Sequence, residues 1–597
     1  MLRQEYGETG KQRSLGLLKF SLLSVTVGVV SGLGAVVFRA LIALFHNLFF
    51  LGKISAFYDA NVHTPDSPWG PLVILVPVIG SLFVTALVET FAPEARGHGV
   101  PEVMDAVYYK KGIIRPVVAV IKSLASALCI GSGGSVGREG PIVQIGSSFG
   151  STMGQVFTMS PKQRIVLVAA GAGGGIAATF NTPIGGVLFA VELILHEVSA
   201  KTLVPVVIAT AIATYIGRLF FGVHPSFVIP ALQKPYFHPA SPWLLASYAV
   251  LGVLMGLTST GFIRVLYGLE DVFNDRLGRN PYLRNLAGML VFGIVIYLLR
   301  ITSGHYYIEG VGYAVIQDVL TGTIPTISFL AALCLLKLFA TSLTLAAGGS
   351  GGIFSPSLFI GATAGGAYGS LLVMLMPRLG IDPAAFAVVG MAGMVGGVTG
   401  AALTAIVMIF EMTLDYSVIL PMTITVALSY GVRKLLSRDS IYTLKLVRRG
   451  YAVPDTLHAD LLHTKLARDL MDTHIKRIGL SETGHTLQYW ANPEISYLII
   501  QDDDKIIGAL PRESAEADSA EPEGGSDFKE RIMKDYIIVK ERDTLFSVIE
   551  KLHSNNKAPL ALIVSDTKKT GPHTVVGVVT RELITRALEE YEELFSD

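Results

Sequence analysis

The sequence predicts an all-α polytopic membrane protein with two inverted halves and interrupted helices, followed by a water-soluble α/β region. Three observations predict this fold: long apolar segments, a repeat of glycine-rich motifs, and an uneven distribution of charge. Of 597 residues, 51% are apolar and 16% are charged, and the mean hydropathy is +0.54. An ordinary soluble domain carries about 25% charged residues. This composition excludes a disordered chain, a nucleic-acid-binding protein and a typical soluble enzyme.

Charge divides the chain near residue 459. The first 459 residues hold 30 basic and 21 acidic residues, whereas the last 138 hold 17 basic and 26 acidic residues. The first part is therefore suited to a bilayer and the second to water. Both cysteines, Cys129 and Cys334, lie in apolar stretches. They predict neither a disulfide framework nor a metal site.

Long apolar segments predict membrane-spanning helices, each of which needs about 20 apolar residues. The long candidates are 15–45, 71–90, 243–265, 286–299 and 327–345. Shorter apolar pieces, cut by glycine and proline, lie between them. Broken helices are tolerated at membrane depth only where they are buried in protein or line a polar cavity. The pattern therefore favours a pore or a carrier over a simple anchor.

Two glycine-rich blocks occur twice, in the same order. The first copy has Gly131–Gly134, Pro141, Gly171 and Glu192, and the second has Gly349–Gly352, Pro356, Gly390 and Glu411. In both copies the later glycine precedes the glutamate by 21 residues. Residues 115–220 and 330–437 are therefore predicted to be copies, with a transport site at their interface. Chance enrichment of small residues for helix packing is the alternative.

Three clusters of glycine and proline lie at predicted helix starts, at 97–102, 137–141 and 351–356. Proline suits the first turn of a helix, and the glycines let the backbone turn sharply and expose its N–H groups. Free N–H groups at the positive end of a helix dipole bind anions. Three such ends meeting at mid-membrane would bind an anion through partial charges, which also permit its release.

These clusters resemble the CLC family of chloride channels and proton-coupled chloride exchangers. The resemblance rests on Gly137-Arg138-Glu139-Gly140-Pro141, on Gly351-Gly352-Ile353-Phe354-Ser355-Pro356 and on Ser440-Ile441-Tyr442. It covers about residues 15–597, because the tail resembles the tandem CBS pair of many members. It implies a homodimer in a lipid bilayer, with one pathway per subunit for chloride and similar small anions, and with protons as a second ion in exchangers.

The resemblance assigns roles to individual residues. Glu139 would be the gating glutamate, whose carboxylate competes with chloride; a simple helix cap is the alternative. Tyr442 would donate a hydrogen bond to the anion, or else would anchor the chain at the membrane interface. Lys122 would make the pathway electropositive, or would merely extend towards water. The implied anion-binding set is His98, Gly99, Arg138, Gly140, Ile353, Phe354 and Tyr442, with Ile353 and Phe354 acting through their backbone N–H groups.

Two positions depart from the family pattern. His98 stands where many chloride-selective members have serine, and its imidazole can donate a hydrogen bond to an anion and titrates near neutral pH. A histidine that only packs near the pathway is the alternative.

Glu192 and Leu193 stand at the internal proton site, where well-known exchangers carry two adjacent acids. Leucine cannot relay a proton, so Leu193 favours a passive chloride channel over a chloride/proton antiporter. Glu192 is alternatively a buried structural acid, like Glu411.

The predicted organisation follows from these segments. It comprises an N-terminal tail (1–14), the transmembrane anion pathway (15–450), a linker (451–464), a first CBS module (465–514), an acidic linker (515–527) and a second CBS module (528–597). CBS pairs often bind adenine nucleotides, which here would involve Thr580 and Glu582. The acid stands two residues after the hydroxyl, whereas the usual CBS signature has it three residues after, so a purely structural role is the alternative. No other cofactor and no metal are predicted. Basic residues near the ends of the spans place both termini in the cytoplasm of a bacterial inner membrane.

Overall fold

The computed structural model describes most of the chain. The described residues are 16–195, 199–223, 226–227, 242–277, 280–324, 326–377, 381–449, 466–479, 489–490, 492–502, 505–512, 532–554, 560–564 and 575–594. The chain forms two compact units, Met1–Ala452 and Val453–Asp597. The predicted tail 1–14 and the two predicted linkers, 451–464 and 515–527, lie outside the described residues.

The first unit is built of helices. In chain order they are α1 (Leu17–Leu51), α2 (Val76–Phe91), α3 (Val100–Tyr109), α4 (Val117–Gly131), α5 (Glu139–Val156), α6 (Pro161–Phe180), α7 (Pro183–Phe189), α8 (Ala200–Phe221), α9 (Pro242–Leu277), α10 (Pro281–Ser303), α11 (Tyr313–Thr321), α12 (Ile327–Ala346), α13 (Phe354–Leu375), α14 (Pro383–Thr399), α15 (Ala402–Thr413), α16 (Ile419–Leu436) and α17 (Thr443–Arg448). Within the described ranges, nine helical segments are long and apolar enough to cross a membrane.

The two sequence copies form matching sets of helices, α4–α8 and α12–α16. In the first set, Gly146 of α5 packs directly on the backbone carbonyl of Gly171 in α6; in the second, Gly361 of α13 packs on that of Gly390 in α14. A Cβ atom at Gly146 or Gly361 would overlap that carbonyl. Small residues let helix backbones approach in this way. The glycine blocks that define the repeat therefore hold equivalent helix pairs together.

The interrupted segments end where the sequence predicts breaks. Pro183 begins α7, which runs only to Phe189 and continues as a π-helical turn over Ala190–Leu195. Its counterpart α15 begins after Ala401 and ends at Thr413. These two short helices pack against each other. Two short helices thus lie at the interface between the two copies.

The second unit contains two three-stranded sheets. The first is formed by β1 (Ile475–Gly479), β2 (Tyr497–Asp502) and β3 (Lys505–Pro511), and the second by β4 (Tyr536–Lys540), β5 (Leu560–Val564) and β6 (Val575–Thr580). In each sheet the first pair of strands is parallel and the second pair antiparallel. The remaining helices are α18 (Ala467–Leu470), α19 (Leu545–Ser554) and α20 (Arg581–Leu594).

The central place of β5 in the second sheet agrees with its sequence. β5 is apolar at all five positions and buried on both faces, as expected for the central strand of a sheet. Val548 and Leu552 of α19 pack on one side of it with Ala561 and Ile563. The same arrangement of strands occurs in both sheets. The assignment of these sheets as CBS modules stays a prediction.

Candidate functional site

The three glycine-rich clusters meet in the interior of the first unit. The N–H of Gly137 donates to the carbonyl of Gly352 over 2.7 Å, and the N–H of Gly352 donates back over 2.6 Å. The N–H of Gly97 donates to the carbonyl of Gly349 (3.1 Å), and the N–H of Gly351 donates to the carbonyl of Gly97 (3.3 Å). These bonds place the N-termini of α3, α5 and α13 side by side. The first four N–H groups of a helix lack partners within it.

Glycine is required where these clusters touch. A Cβ at Gly140 would overlap the carbonyl oxygen of His98. Gly99 has φ +81°, a conformation that side chains with a Cβ rarely adopt, and it packs against the carbonyl of Gly140. Gly99 and Gly140, both predicted anion-binding residues, therefore let the backbones of α3 and α5 approach closely.

Glu139 is the first residue of α5, and its side chain is 1% exposed. Its hydrogen bonds come from other helices. Carboxylate oxygen Oε2 accepts from the N–H of Ser355 in α13 over 3.2 Å. Oxygen Oε1 accepts from the Ser355 hydroxyl and, over 3.0 Å, from the hydroxyl of Tyr313 at the start of α11. The carboxylate is thus bound by donors from the first residues of two helices, α11 and α13.

Arg138 lies beside this carboxylate with its guanidinium on aromatic rings. Its Cζ atom is 5.1 Å from the ring centre of Tyr313 and 5.8 Å from that of Phe180, distances typical of cation–π contacts. Arg138 also lines a buried cavity of about 20 Å³. That volume suits a single water molecule. The other polar side chains that line the cavity are Arg39, His46, Tyr58 and Glu309.

His98 and Tyr442 lie together in the interior of the first unit. Their ring centres are 5.8 Å apart, and both side chains are buried. Within the part of the chain that the structure describes, Nδ1 of His98 is buried without a hydrogen-bond partner. Tyr442 is positioned through its neighbour Ile441, whose N–H donates to Val398 (3.0 Å) and whose carbonyl accepts from the Tyr267 hydroxyl (2.6 Å).

Ile353 and Phe354 begin α13 beside this junction. Ile353 is the N-cap residue and Phe354 the first residue of the helix, and both side chains are buried in the core. The N–H groups at such a start have no partner within the helix. The ring of Phe354 packs against that of Phe180, with centres 5.7 Å apart. The apolar side chains thus anchor the helix start, which leaves the backbone as its polar surface.

Lys122 does not extend to water. It is fully buried, and its Nζ donates to the carbonyls of Ala95 (2.8 Å) and Gly97 (2.7 Å). The second copy contains the same arrangement: Lys337, also fully buried, donates to the carbonyls of Ile308 (3.0 Å) and Gly310 (2.8 Å). Each lysine therefore holds the loop before a short helix, α3 or α11.

Sequence reasoning missed Lys337, Tyr313 and Ser355. A signal for Lys337 was present, because it precedes Phe354 by 17 residues, as Lys122 precedes Glu139. Ser355 stands within the quoted motif of α13. Tyr313 had no signal, because it is 174 residues from Glu139 and only the packing of α11 brings them together.

Glu192 and Glu411 cap helices of opposite copies. The carboxylate of Glu192 accepts from the N–H groups of Leu403 (3.2 Å) and Thr404 (2.8 Å), at the start of α15. The carboxylate of Glu411 accepts from Ile184 (3.1 Å) and Gly185 (2.7 Å), at the start of α7. An acid at a helix N-terminus is stabilised by the dipole. Leu193 is buried and apolar.

Thr580 and Glu582 lie in the second unit, at the junction of β6 and α20. The hydroxyl of Thr580 accepts from the N–H of Leu583 over 3.2 Å and so caps α20. Glu582 is in the first turn of that helix. Across the described residues of both units, no group of three or more His, Cys, Asp or Glu side chains could hold a metal ion.

Comparison with known proteins identifies the family. The model of the family described as "Voltage gated chloride channel" matches residues 80–434. The chain belongs to this CLC family. The CLC resemblance of the glycine-rich clusters is therefore confirmed, and with it the prediction of a multi-pass membrane protein of the ion-transport class.

Individual CLC relatives agree with this assignment. A ClcB-like chloride channel protein of Ralstonia nicotianae is 31% identical over 386 residues, which cover 64% of this chain and 86% of that protein. The H(+)/Cl(-) exchange transporter ClcA of Vibrio parahaemolyticus is 33% identical over 391 residues, covering 63% and 79%. The crystal structure of a eukaryotic CLC transporter superposes with a TM-score of 0.63 at 21% identity, covering 95% of this chain and 98% of that one. This likeness confirms the fold class.

The prediction of a passive chloride channel, drawn from Leu193, is wrong. Although the Ralstonia relative carries a channel name, the ClcA relatives from two Vibrio species and from Yersinia pseudotuberculosis are named H(+)/Cl(-) exchange transporters. The physical reason is that an apolar residue removes only one proton carrier. Water or another carboxylate can take its place, so Leu193 alone does not distinguish a channel from an exchanger.

Proposed function

We propose that this chain is a secondary-active exchanger of chloride and protons. The observation that carries the proposal is the carboxylate of Glu139, which accepts hydrogen bonds from the starts of α11 and α13, and the same donors could bind an anion. A carboxylate there can bind a proton, and as an anion it excludes chloride. The exchanger names of the ClcA relatives support the same conclusion.

The exchange follows from the two protonation states of Glu139. The ionised carboxylate satisfies the N–H of Ser355 and two hydroxyl groups, and it keeps chloride out. Protonation removes the charge, so the carboxyl group no longer competes and chloride can enter. Each turnover therefore couples a proton to the movement of an anion. Because Leu193 has no proton-binding atom, we propose that water carries the proton past it.

Other residues of the site are proposed to bind the anion. His98, through its unpartnered imidazole nitrogen, and Tyr442, through its hydroxyl, would donate hydrogen bonds to the anion. Backbone N–H groups would act at Ile353 and Phe354, while Gly99 and Gly140 keep the helix starts close. Lys122 and Arg138 contribute positive potential.

The cellular setting is also a proposal. The basic residues near the ends of the spans support a bacterial inner membrane with both termini in the cytoplasm. Family membership supports a homodimer with one pathway in each subunit. The CBS identity of the second unit and nucleotide binding at Thr580 and Glu582 stay predictions.

The decisive experiment measures proton uptake by liposomes that contain the purified full-length chain, with an imposed chloride gradient. We expect chloride flow to drive protons against their own gradient. Glu139→Gln is neutral and nearly isosteric, so it should keep chloride flux and abolish proton movement. Glu411→Gln is the matched control, because it changes an acid that caps a helix. Wild-type chloride flux without proton movement would refute the exchanger assignment.

A further inference from the structure

The hydroxyl groups of Tyr313 and Ser355 surround one carboxylate oxygen of Glu139. Both can donate to Oε1, and their own oxygen atoms are 2.8 Å apart. The N–H of Ser355 donates to the other oxygen, Oε2. The negative charge of Glu139 is therefore bound by three donors from two residues. We name Tyr313 and Ser355 the hydroxyl pair.

The hydroxyl pair is held rigidly. Tyr313 is 2% exposed, its ring packs edge-on against Phe227 with centres 5.4 Å apart, and the guanidinium of Arg138 lies on it. Ser355 is fully buried in the first turn of α13, where the helix dipole is positive. The donors therefore stay in place when the charge they bind is replaced by another.

These donors cannot be left without an acceptor. A buried hydroxyl or N–H without a partner costs about 1–3 kcal/mol. When Glu139 takes up a proton and leaves, one hydroxyl can donate to the other, but the second hydroxyl and the N–H of Ser355 would lose their acceptor. A halide ion at the same point accepts from all three, because it has no preferred direction of bonding. Its charge also replaces the charge that the proton neutralised.

The hydroxyl pair belongs to one copy of the repeat only. The lysine-held loops before α3 and α11 are equivalent, and the equivalent of Tyr313 in α3 is Val100. The equivalent of Ser355 at the start of α5 is Gly140. Neither Val100 nor Gly140 carries a hydroxyl. The hydroxyl pair is therefore a feature of the second copy alone.

We propose that Tyr313 and Ser355 determine anion affinity at the Glu139 position, by binding the carboxylate when it is ionised and the transported halide once the carboxylate is protonated. This inference rests on the proposed function for the identity of the transported ion. It adds two specificity-determining side chains, neither of which the sequence motifs assign. It also predicts that the same substitution changes both halide affinity and the pH response.

The first test measures chloride binding to the purified full-length protein in detergent by titration calorimetry. The Glu139→Gln background removes the competing charge, so no anionic side chain competes with the halide for the hydroxyl pair. We expect Tyr313→Phe or Ser355→Ala in that background to weaken chloride binding about tenfold, as the loss of one hydrogen bond to a charged group implies. Unchanged affinity in both double variants would overturn the inference.

Matched controls exclude a general packing effect. Tyr368→Phe removes a hydroxyl that donates to the carbonyl of Ser247, and Ser429→Ala removes one that donates to the carbonyl of Gly393. Both should leave chloride affinity within about twofold of the Glu139→Gln protein, since neither hydroxyl contacts Glu139. An equal loss in the controls would assign the effect to packing and overturn the inference.

The second test measures chloride flux against pH in liposomes with Glu139 present. Tyr313→Phe removes a donor from the ionised carboxylate, so the midpoint of acid activation should move to higher pH by roughly one unit. A purely structural role would lower flux without moving the midpoint, which would contradict the inference. If chloride affinity falls as expected but no protons move, only the exchanger assignment fails. If Glu139→Gln binds no chloride, both fail.

Discussion

The carboxylate of Glu192 caps α15, the helix that contains Glu411. The carboxylate of Glu411 caps α7, the helix that leads into the π-helical turn containing Glu192. Each accepts from two consecutive backbone N–H groups of the opposite copy. The two halves are therefore joined by a reciprocal pair of acid caps. The hydroxyl of Thr404 also donates to Glu192, over 2.7 Å.

The reciprocal caps give the first prediction. Glu192→Gln and Glu411→Gln should each lower the free energy of unfolding by about 1 kcal/mol, because an amide is a weaker acceptor at a helix start. Both variants should keep the wild-type ratio of protons to chloride. Thermal unfolding in detergent and coupled flux in liposomes check this. Loss of proton coupling in Glu192→Gln alone would instead make Glu192 a proton carrier.

The two buried lysines give the second prediction. Lys337→Met removes the donor that the carbonyls of Ile308 and Gly310 share, so it should destabilise the protein by about 2–4 kcal/mol. Lys122→Met should cost less, because the carbonyl of Ala95 still accepts from the Ser350 hydroxyl and that of Gly97 from the N–H of Gly351. Chloride flux should fall in both, since the loops before α3 and α11 lose a support. Thermal unfolding and chloride efflux measure the two effects. A stable, fully active Lys337→Met protein would contradict the supporting role of Lys337.

His98 gives the third prediction. His98→Ser replaces an imidazole by a smaller hydroxyl donor next to Tyr442, so the permeability ratios of chloride, nitrate and bromide should change. His305→Ser, an exposed histidine outside the site, is the control. Unchanged ratios would remove His98 from the pathway.

The glycine contact between α5 and α6 gives the fourth prediction. Gly146→Ala forces a methyl group into the carbonyl of Gly171, and such overpacking should cost about 1–3 kcal/mol. Gly261→Ala in α9 is the matched control, because its added methyl meets no atom within 4 Å. That variant should be stabilised by about 0.5–1 kcal/mol. Equal unfolding temperatures for the two variants would contradict close packing at Gly146.

Features of the site that depend only on neighbouring residues in the chain were predictable from the sequence. Glycine and proline spacing predicted helix starts near Val100, Glu139 and Phe354, because turn geometry and helix capping depend on neighbouring residues. The glycine blocks likewise predicted the repeat in which α4–α8 correspond to α12–α16. Proline and glycine act within a few residues, so a single sequence reports them well.

Contacts between distant segments were not predictable in this way. Tyr313 reaches Glu139 only because α11 packs beside α13, and nothing near Tyr313 in the sequence indicates that neighbour. The misassignment from Leu193 has a related cause. Proton coupling depends on the whole route to Glu139, water included, and one side chain does not define that route.

The lysine-held loops carry information about ancestry. Lys122 and Lys337 stand at the same distance before their helix starts and bind the same pair of backbone carbonyls in each copy. A feature shared by both copies is most simply inherited from the single half-length chain that was duplicated. The positions equivalent to Glu139, Tyr313 and Ser355 in the other copy are Phe354, Val100 and Gly140. These positions therefore differ between the halves. The lysine-held loops are thus most simply older than the duplication, and the side chains around Glu139 are where the two halves have diverged.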